Sequence, residues 1–122
     1  MATTIQNLPE IRIGRDWLLQ VTEVTAQGNP LNLSNYTIEL CIKANATDAD
    51  NKALVKSATL YGANLPFGQY GFHIAAATTA SWSGSGGITA LYEIIYKDPT
   101  GIINTKFAGS VPLTPSLTVT IP

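Results

Sequence analysis

The stretch that most constrains the fold is residues 90–111, ALYEIIYKDPTGIINTKFAGSV, which predicts two β-strands joined by a tight turn. Tyr92, Ile94 and Tyr96 fall on one face of the first strand, and this period of two is typical of a half-buried strand. Asp, Pro and Gly at positions 98–101 are the residues that a β-turn favours. The segment therefore predicts an antiparallel hairpin in a small β domain.

Turn residues separate further segments with the same alternation, and we predict strands near 10–13, 17–24, 36–43, 53–61, 70–76 and 117–121. Residues 77–82 predict a single helical turn capped by Thr78 or Thr79. Seven or eight short strands at regular spacing are typical of an antiparallel β-sandwich, with a small β-barrel as the alternative. We predict one all-β domain over residues 9–122, preceded by an arm at residues 1–8 that is frayed or pairs with a neighbouring subunit.

Composition narrows the classes of partner. Charged residues make up 12% of the 122 residues, against about 25% in an average protein. A surface so poor in charge fits a subunit of an assembly, and the alternative is a β protein that solvates itself with Thr and Ser. The seven basic residues are scattered, which argues against nucleic-acid binding. No long apolar run or secretory signal is evident, so we predict no membrane partner and synthesis in the cytoplasm.

Residues with reactive side chains do not form a recognisable catalytic or metal-binding set. His73 is the single histidine and Cys41 the single cysteine, so a cysteine pair or a second histidine for a metal site is missing. A hydrolase that depends on His73 is the least supported hypothesis. Asp48 and Asp50 resemble a fragment of a calcium loop without its downstream Gly and Glu. We predict a protein without catalytic residues, metal or cofactor.

Two further hypotheses depend on side chains at the surface. Glu39 and Glu93 both project outward from predicted strands and could form a carboxylate pair for glycoside hydrolysis, but no cleft is indicated around them. Tyr61, Tyr70 and Trp82 offer an alternative function, an aromatic platform for carbohydrate. Aromatic residues of this kind are more often part of a core or an interface.

A series of landmarks along the chain carries a family resemblance. They are the Gly14-Arg15-Asp16 break before an apolar strand, a turn with Gly28 and Pro30, the phrase LNLSNYTI at 31–38, then Gly68, Tyr70 and Phe72, TTASW at 78–82, and Tyr92-Glu93-Ile94 followed by Asp98, Gly101 and Gly109. In this order they resemble the immunoglobulin-like domains of tailed-phage and prophage virions. The chain is similar to the N-terminal domain of phage baseplate upper proteins and to related tail-associated proteins.

The resemblance implies an immunoglobulin-like sandwich that acts by structural assembly and has no catalytic activity. It implies a structural or adaptor subunit of the virion, in the tail, baseplate, neck or capsid surface, that forms homo-oligomers and contacts other virion proteins. Unpaired strand edges and polar strand faces are the surfaces available for such contacts. The candidate interface residues are Ile5, Leu8, Glu93, Ile95, Lys97, Thr118 and Thr120.

Overall fold

A computed structural model describes residues 4–45, 47, 53–55, 60, 62–82 and 87–115. The strands are β1 Thr4–Ile5, β2 Ile11–Arg12, β3 Trp17–Thr22, β4 Thr37–Lys43, β5 Gln69–Ile74, β6 Thr89–Lys97 and β7 Ile103–Thr114. A 3₁₀ turn, Leu65–Phe67, precedes β5, and the helix α1, Ala76–Ala80, follows it. Asp48, Asp50, Tyr61 and the predicted closing strand with Thr118 and Thr120 lie outside the described residues.

The strands form two sheets that pack face to face. The larger sheet has the order β1-β7-β6-β4, with β2 beside β7 further along, and the smaller sheet is the antiparallel pair β3-β5. An immunoglobulin-type sandwich contains strands A-B-E-D in one sheet and C-F-G in the other. β4-β6-β7 matches C-F-G, and β3-β5 matches B-E. The predicted all-β sandwich is therefore confirmed, and the described strands do not close into the alternative barrel.

Strand alternation accounts for the core between the two sheets. Ile38, Leu40 and Ile42 of β4 are buried, while the residues between them are exposed or half-buried. Tyr92, Ile94 and Tyr96 of β6 are each at most 4% exposed, as their alternation predicts. The smaller sheet contributes further inward side chains, namely Trp17, Leu19, Val21, Tyr70, Phe72 and Ile74.

The turn that joins β6 to β7 is built around one carboxylate. Asp98 Oδ1 accepts hydrogen bonds from the Thr100 hydroxyl at 2.6 Å, the Thr100 N–H at 2.9 Å and the Ile102 N–H at 2.9 Å. The Thr100 hydroxyl and these backbone donors hold the pKa of Asp98 below its usual value, since they stabilise its charged form. Gly101 has φ of +93°, a conformation that favours glycine.

A β-bulge at Lys106 divides β7 into two parts. Ile94 pairs with Phe107 and Ile95 pairs with Thr105, so Lys106 is the extra residue between them. Because side chains alternate along a strand, one extra residue exchanges the two faces. Odd-numbered residues of β7 therefore face outward before the bulge and inward after it.

Residues 4–13 lie along β7 of the same chain, which differs from the predicted frayed or subunit-swapping arm. β1 and β2 pair with β7 in parallel, and the N–H groups of Gln6 and Leu8 donate to the carbonyls of Ala108 and Ser110 at 2.8 and 2.9 Å. The sheet is therefore mixed rather than purely antiparallel. The alternation over so few residues was too short to predict this pairing.

The two sides of the sandwich differ in how their strand edges are covered. On one side, Val55 pairs with Ile42 of β4 and Leu60 pairs with Phe72 of β5. On the other side, β3 faces residues 6–8 across a crevice, and the described residues include no strand paired with this edge of β3. One side of the sandwich is thus bridged and the other is open.

Thr79 joins α1 to the turn between β2 and β3. Its Oγ1 accepts the Gly14 N–H at 3.0 Å and lies 2.8 Å from the Arg15 carbonyl oxygen, to which it can donate. Asp16 Oδ1 accepts the Ala76 N–H at 2.5 Å in the first turn of α1. The Asp16 carboxylate therefore accepts a hydrogen bond from the first N–H of the helix, and the prediction of a Thr78 or Thr79 cap was wrong.

We expect Thr79→Val to lower the free energy of unfolding by about 1–3 kcal/mol, because it leaves the buried Gly14 N–H without an acceptor. Urea denaturation followed by circular dichroism measures the change. Thr79→Ser keeps the hydroxyl and is the matched control, with an expected loss of about 1 kcal/mol for the missing methyl group. An equal loss for both variants would contradict a role for the hydroxyl.

Candidate functional site

One broad accessible feature is the side of the larger sheet that faces away from β3 and β5, which we call the outer face. Four rows of paired residues form it, reading across β4, β6 and β7. The rows are Thr37, Lys97 and Ile103; Glu39, Ile95 and Thr105; Cys41, Glu93 and Ala108; and Lys43, Leu91 and Ser110. The pairing of β1 with β7 adds Ile5 beside Ala108.

Large apolar side chains are exposed on this outer face. Ile5 is 76% exposed, Ile103 is 64% exposed and Leu91 is 40% exposed, and Ile95 is half-buried between them. A groove of about 610 Å³ runs over the middle rows and is lined by Cys41, Leu91, Glu93, Ile95 and Ala108, among others. Apolar surface of this kind on a sheet face is typical of a protein–protein contact.

The charges on the outer face are balanced. Glu39 and Lys43 lie on β4, and Glu93 and Lys97 lie on β6, so the face carries two carboxylates and two ammonium groups. Glu93 Oε1 also accepts a hydrogen bond from the Thr105 hydroxyl at 2.9 Å. This contact with the neighbouring strand holds the Glu93 carboxylate at the face.

The structure brings together four of the predicted interface residues, Ile5, Glu93, Ile95 and Lys97, on this one face. Leu8 is a correction. It is 8% exposed and packs in the core, because its N–H bonds to β7 and its side chain turns inward between the sheets. Thr118 and Thr120 lie outside the described residues.

His73 and Cys41 lie on opposite sides of the sandwich. His73 projects from β5 away from the core, and its Nε2 lies 3.7 Å from Asp16 Oδ2. Cys41 projects from β4 on the outer face, so the two side chains cannot act as a nucleophile and its base. Within the described ranges, no three His, Cys, Asp or Glu side chains are grouped closely enough to hold a metal ion.

The predicted carbohydrate platform is not formed by the described aromatic residues. Tyr70 is fully buried and Trp82 is 6% exposed, so neither ring presents a face to a sugar. The Tyr96 hydroxyl lies 2.6 Å from the Tyr70 hydroxyl, and the two rings meet edge to face. Burial is the main cause that raises the pKa of both tyrosines well above the usual value of 10. These residues form the core, and Tyr61 lies outside the described residues.

A second accessible feature, which the sequence did not reveal, is the crevice on the open side of the sandwich. It has a volume of about 290 Å³ and is lined by apolar side chains including Leu19, Val21, Ile94 and Phe107. Glu23 lies at one end of the crevice, where its carboxylate is 3.6 Å from the Lys106 ammonium group. Their side chains are only 11% and 21% exposed, so the bulged lysine neutralises a nearly buried acid.

The described helices include none long and apolar enough to cross a membrane.

Comparison with known proteins adds no family or relative to these observations. No protein-family model matches the chain, and no curated protein matches it.

Proposed function

We propose that this chain is a non-enzymatic structural or adaptor subunit of a phage or prophage virion, which assembles with copies of itself through the outer face. The observation that carries the proposal is the exposed apolar surface of Ile5, Leu91 and Ile103 on a sheet with balanced charges. Protein interfaces commonly bury large apolar side chains together with polar groups.

A second copy of the chain is the occupant that the charge pattern favours. In a two-fold contact each subunit presents the same surface to the other. Two lysines and two glutamates on one face allow each carboxylate to approach an ammonium group of the second copy, and the sum of the four charges is zero. Nucleic acid, in contrast, requires an excess of positive charge that this face does not have.

Assignment to a virion is supported by the sequence resemblance and by the fold that it implies. The landmark glycines occupy the turn positions that such a pattern requires, since Gly14, Gly28 and Gly68 have φ of +83°, +83° and +70°. Residues other than glycine rarely adopt this backbone conformation, so these glycines mark the turns of the sandwich. The fold and the glycine positions are consistent with the resemblance.

Sedimentation of the purified chain over a range of concentrations tests self-association. We expect reversible association that Leu91→Lys with Ile95→Lys weakens by about tenfold or more, because two added charges are desolvated and repel their copies in the contact. Val24→Lys is the matched control, since Val24 is 55% exposed and lies away from the outer face. A monomer at all concentrations, or an equal effect of both changes, would contradict the proposed interface.

The virion assignment has its own test. Antibodies against the chain are expected to detect it in phage particles purified from cells that carry its gene. Particles made with the Leu91→Lys and Ile95→Lys chain are expected to contain less of it than particles made with Val24→Lys. Purified particles that lack the unaltered chain would rule out a virion subunit, whatever its oligomeric state.

A further inference from the structure

The open side of the sandwich exposes one strand edge, that of β3. In the pair β3-β5, the Glu23 N–H donates to the Gly68 carbonyl at 2.8 Å, which makes the odd-numbered residues of β3 the hydrogen-bonded ones. Leu18, Gln20 and Thr22 therefore direct their N–H and C=O groups away from β5. Within the part of the chain that the structure describes, no strand pairs with these groups.

This edge is open because the first strands take a different partner. In the A-B-E-D sheet of an immunoglobulin-type sandwich, strand A pairs with strand B. Here β1 and β2 both pair with β7 of the other sheet, so none of the described strands takes the position beside β3. The corresponding edges of β4 and β5 are partly covered by Val55 and Leu60.

The crevice beside this edge suits the side chains of an added strand. It lies between β3 and residues 6–8 and is lined by Leu19, Val21 and Phe107. A strand paired with Leu18, Gln20 and Thr22 would direct every second side chain into the sandwich. Backbone hydrogen bonds would supply affinity, and apolar side chains in the crevice would supply specificity.

We propose that this edge of β3 is a strand-docking site that takes residues 116–122 of a second copy as an added antiparallel strand. Those residues read SLTVTIP, in which Leu117, Val119 and Ile121 alternate with threonines. The segment has no charged side chain, so docking would bury no side-chain charge. Its alternating part of five residues is close in length to the six residues of β3.

The direction of β7 favours a second copy over the segment's own domain. β7 runs from Lys106, beside Glu23 after the end of β3, to Thr114, whose carbonyl accepts the Ile13 N–H at 3.0 Å near the start of β3. To reach its own β3, the chain would have to reverse direction directly after Thr114. A turn there would take up part of residues 116–122 and would set the remainder parallel to β3 rather than antiparallel to it. Docking on a second copy requires no such reversal.

This inference rests on the proposed function in one respect only, that two copies meet. It would give the assembly a second contact, independent of the outer face. Exchange of a strand between copies makes each subunit depend on its neighbour for one sheet position, which is a known route to assembly.

Hydrogen exchange of the Leu18, Gln20 and Thr22 amides in the full chain tests the inference. We expect exchange at these three amides to slow by roughly tenfold or more as protein concentration rises, because the added strand protects them. Substituting Leu117, Val119 and Ile121 together by Ser is expected to abolish the effect. Gln20→Pro removes one docking N–H that β5 does not use, and is expected to abolish the effect at the Leu18 and Thr22 amides.

Addition of the synthetic peptide SLTVTIP separates this inference from the proposed function. In the Leu91→Lys and Ile95→Lys chain, where the outer face is disabled, excess peptide is still expected to protect the three amides, and a peptide with Ser at its three apolar positions is not. If neither a higher protein concentration nor the peptide slows exchange at the three amides, the docking site is contradicted. Protection that does not change with concentration, but is lost in the triple Ser variant, would show docking within one chain and overturn the second copy.

Discussion

Raising the pH above about 10 is expected to lower the free energy of unfolding steeply. Tyr70 and Tyr96 are at most 1% exposed, and Tyr92 is 4% exposed. Burial raises the pKa of all three above the usual value of 10, because it disfavours the charged phenolate. Between that value and the higher pKa of the folded state, the unfolded chain loses these protons and the folded chain keeps them.

The sign of the effect follows from proton linkage. Where the folded state binds more protons than the unfolded state, stability falls as pH rises. The full stability is therefore present below pH 10 and is lost above it. Each buried tyrosine contributes a slope of about 1.4 kcal/mol per pH unit, so Tyr70 and Tyr96 together give about 3 kcal/mol per unit. Two pH units would then remove about 6 kcal/mol, which is comparable to the whole stability of many small domains.

Circular dichroism and tyrosinate absorbance, followed together against pH, measure this transition. We expect ionisation of the buried tyrosines to coincide with unfolding. A chain with both Tyr70→Phe and Tyr96→Phe is the control, and its stability above pH 10 is expected to fall with about half the slope or less. Ionisation of the buried tyrosines at pH 10 without loss of structure would contradict their burial.

Gly109→Ala is expected to destabilise the domain by about 2–3 kcal/mol, because nothing larger than hydrogen fits at this position. A Cβ at Gly109 would collide with the carbonyl oxygen of Gln6 and would lie 3.3 Å from Cε1 of Tyr92. The same carbonyl accepts the Tyr92 hydroxyl at 2.6 Å, so Gln6 cannot move away without losing that bond. We expect residues 4–8 to separate from β7, with faster hydrogen exchange at the Gln6 and Leu8 amides.

Two comparisons isolate the collision at Gly109. Ser110→Ala, one residue further along β7, removes only an exposed hydrogen bond to Asn7 and is expected to cost about 1 kcal/mol or less. In a chain that lacks residues 1–7, the carbonyl of Gln6 is gone, and Gly109→Ala is expected to cost clearly less than in the full chain, with only the strain of its φ of +158° and the Tyr92 contact remaining. An undiminished penalty in the shortened chain would place its cause elsewhere.

The alternation of apolar residues was sufficient to predict the sandwich and most of its core. Ile38, Leu40 and Ile42 follow one unbroken period of two, and all three are buried. The same rule should have excluded Tyr70 from the carbohydrate platform, since Tyr70 has the parity of Phe72 and Ile74 on the buried face of β5. The prediction that the Tyr70 ring is exposed did not take this strand alternation into account.

The features that the sequence did not reveal depend on contacts between distant strands. Ile103 has the same odd parity as Phe107 and Val111, yet it is 64% exposed because the bulge at Lys106 exchanges the faces. No local residue pattern marks such a bulge, which is determined by the register with β6. The parallel pairing of residues 4–12 with β7, and with it the open edge of β3, depends likewise on which distant strand is nearest.

The pairing of β1 and β2 with β7 also affects the order in which the chain folds. Asn7 and its partner Ser110 are 103 residues apart in sequence. During synthesis the first strands must therefore remain unpaired until β7 has left the ribosome, long after β3, β4 and β5 are available to one another. Closing so long a loop is slow, and contacts of high sequence separation form late. Until β7 arrives, the nascent chain exposes the apolar residues Leu8 and Ile11, which makes this interval the one in which chaperones or early assembly partners have most access.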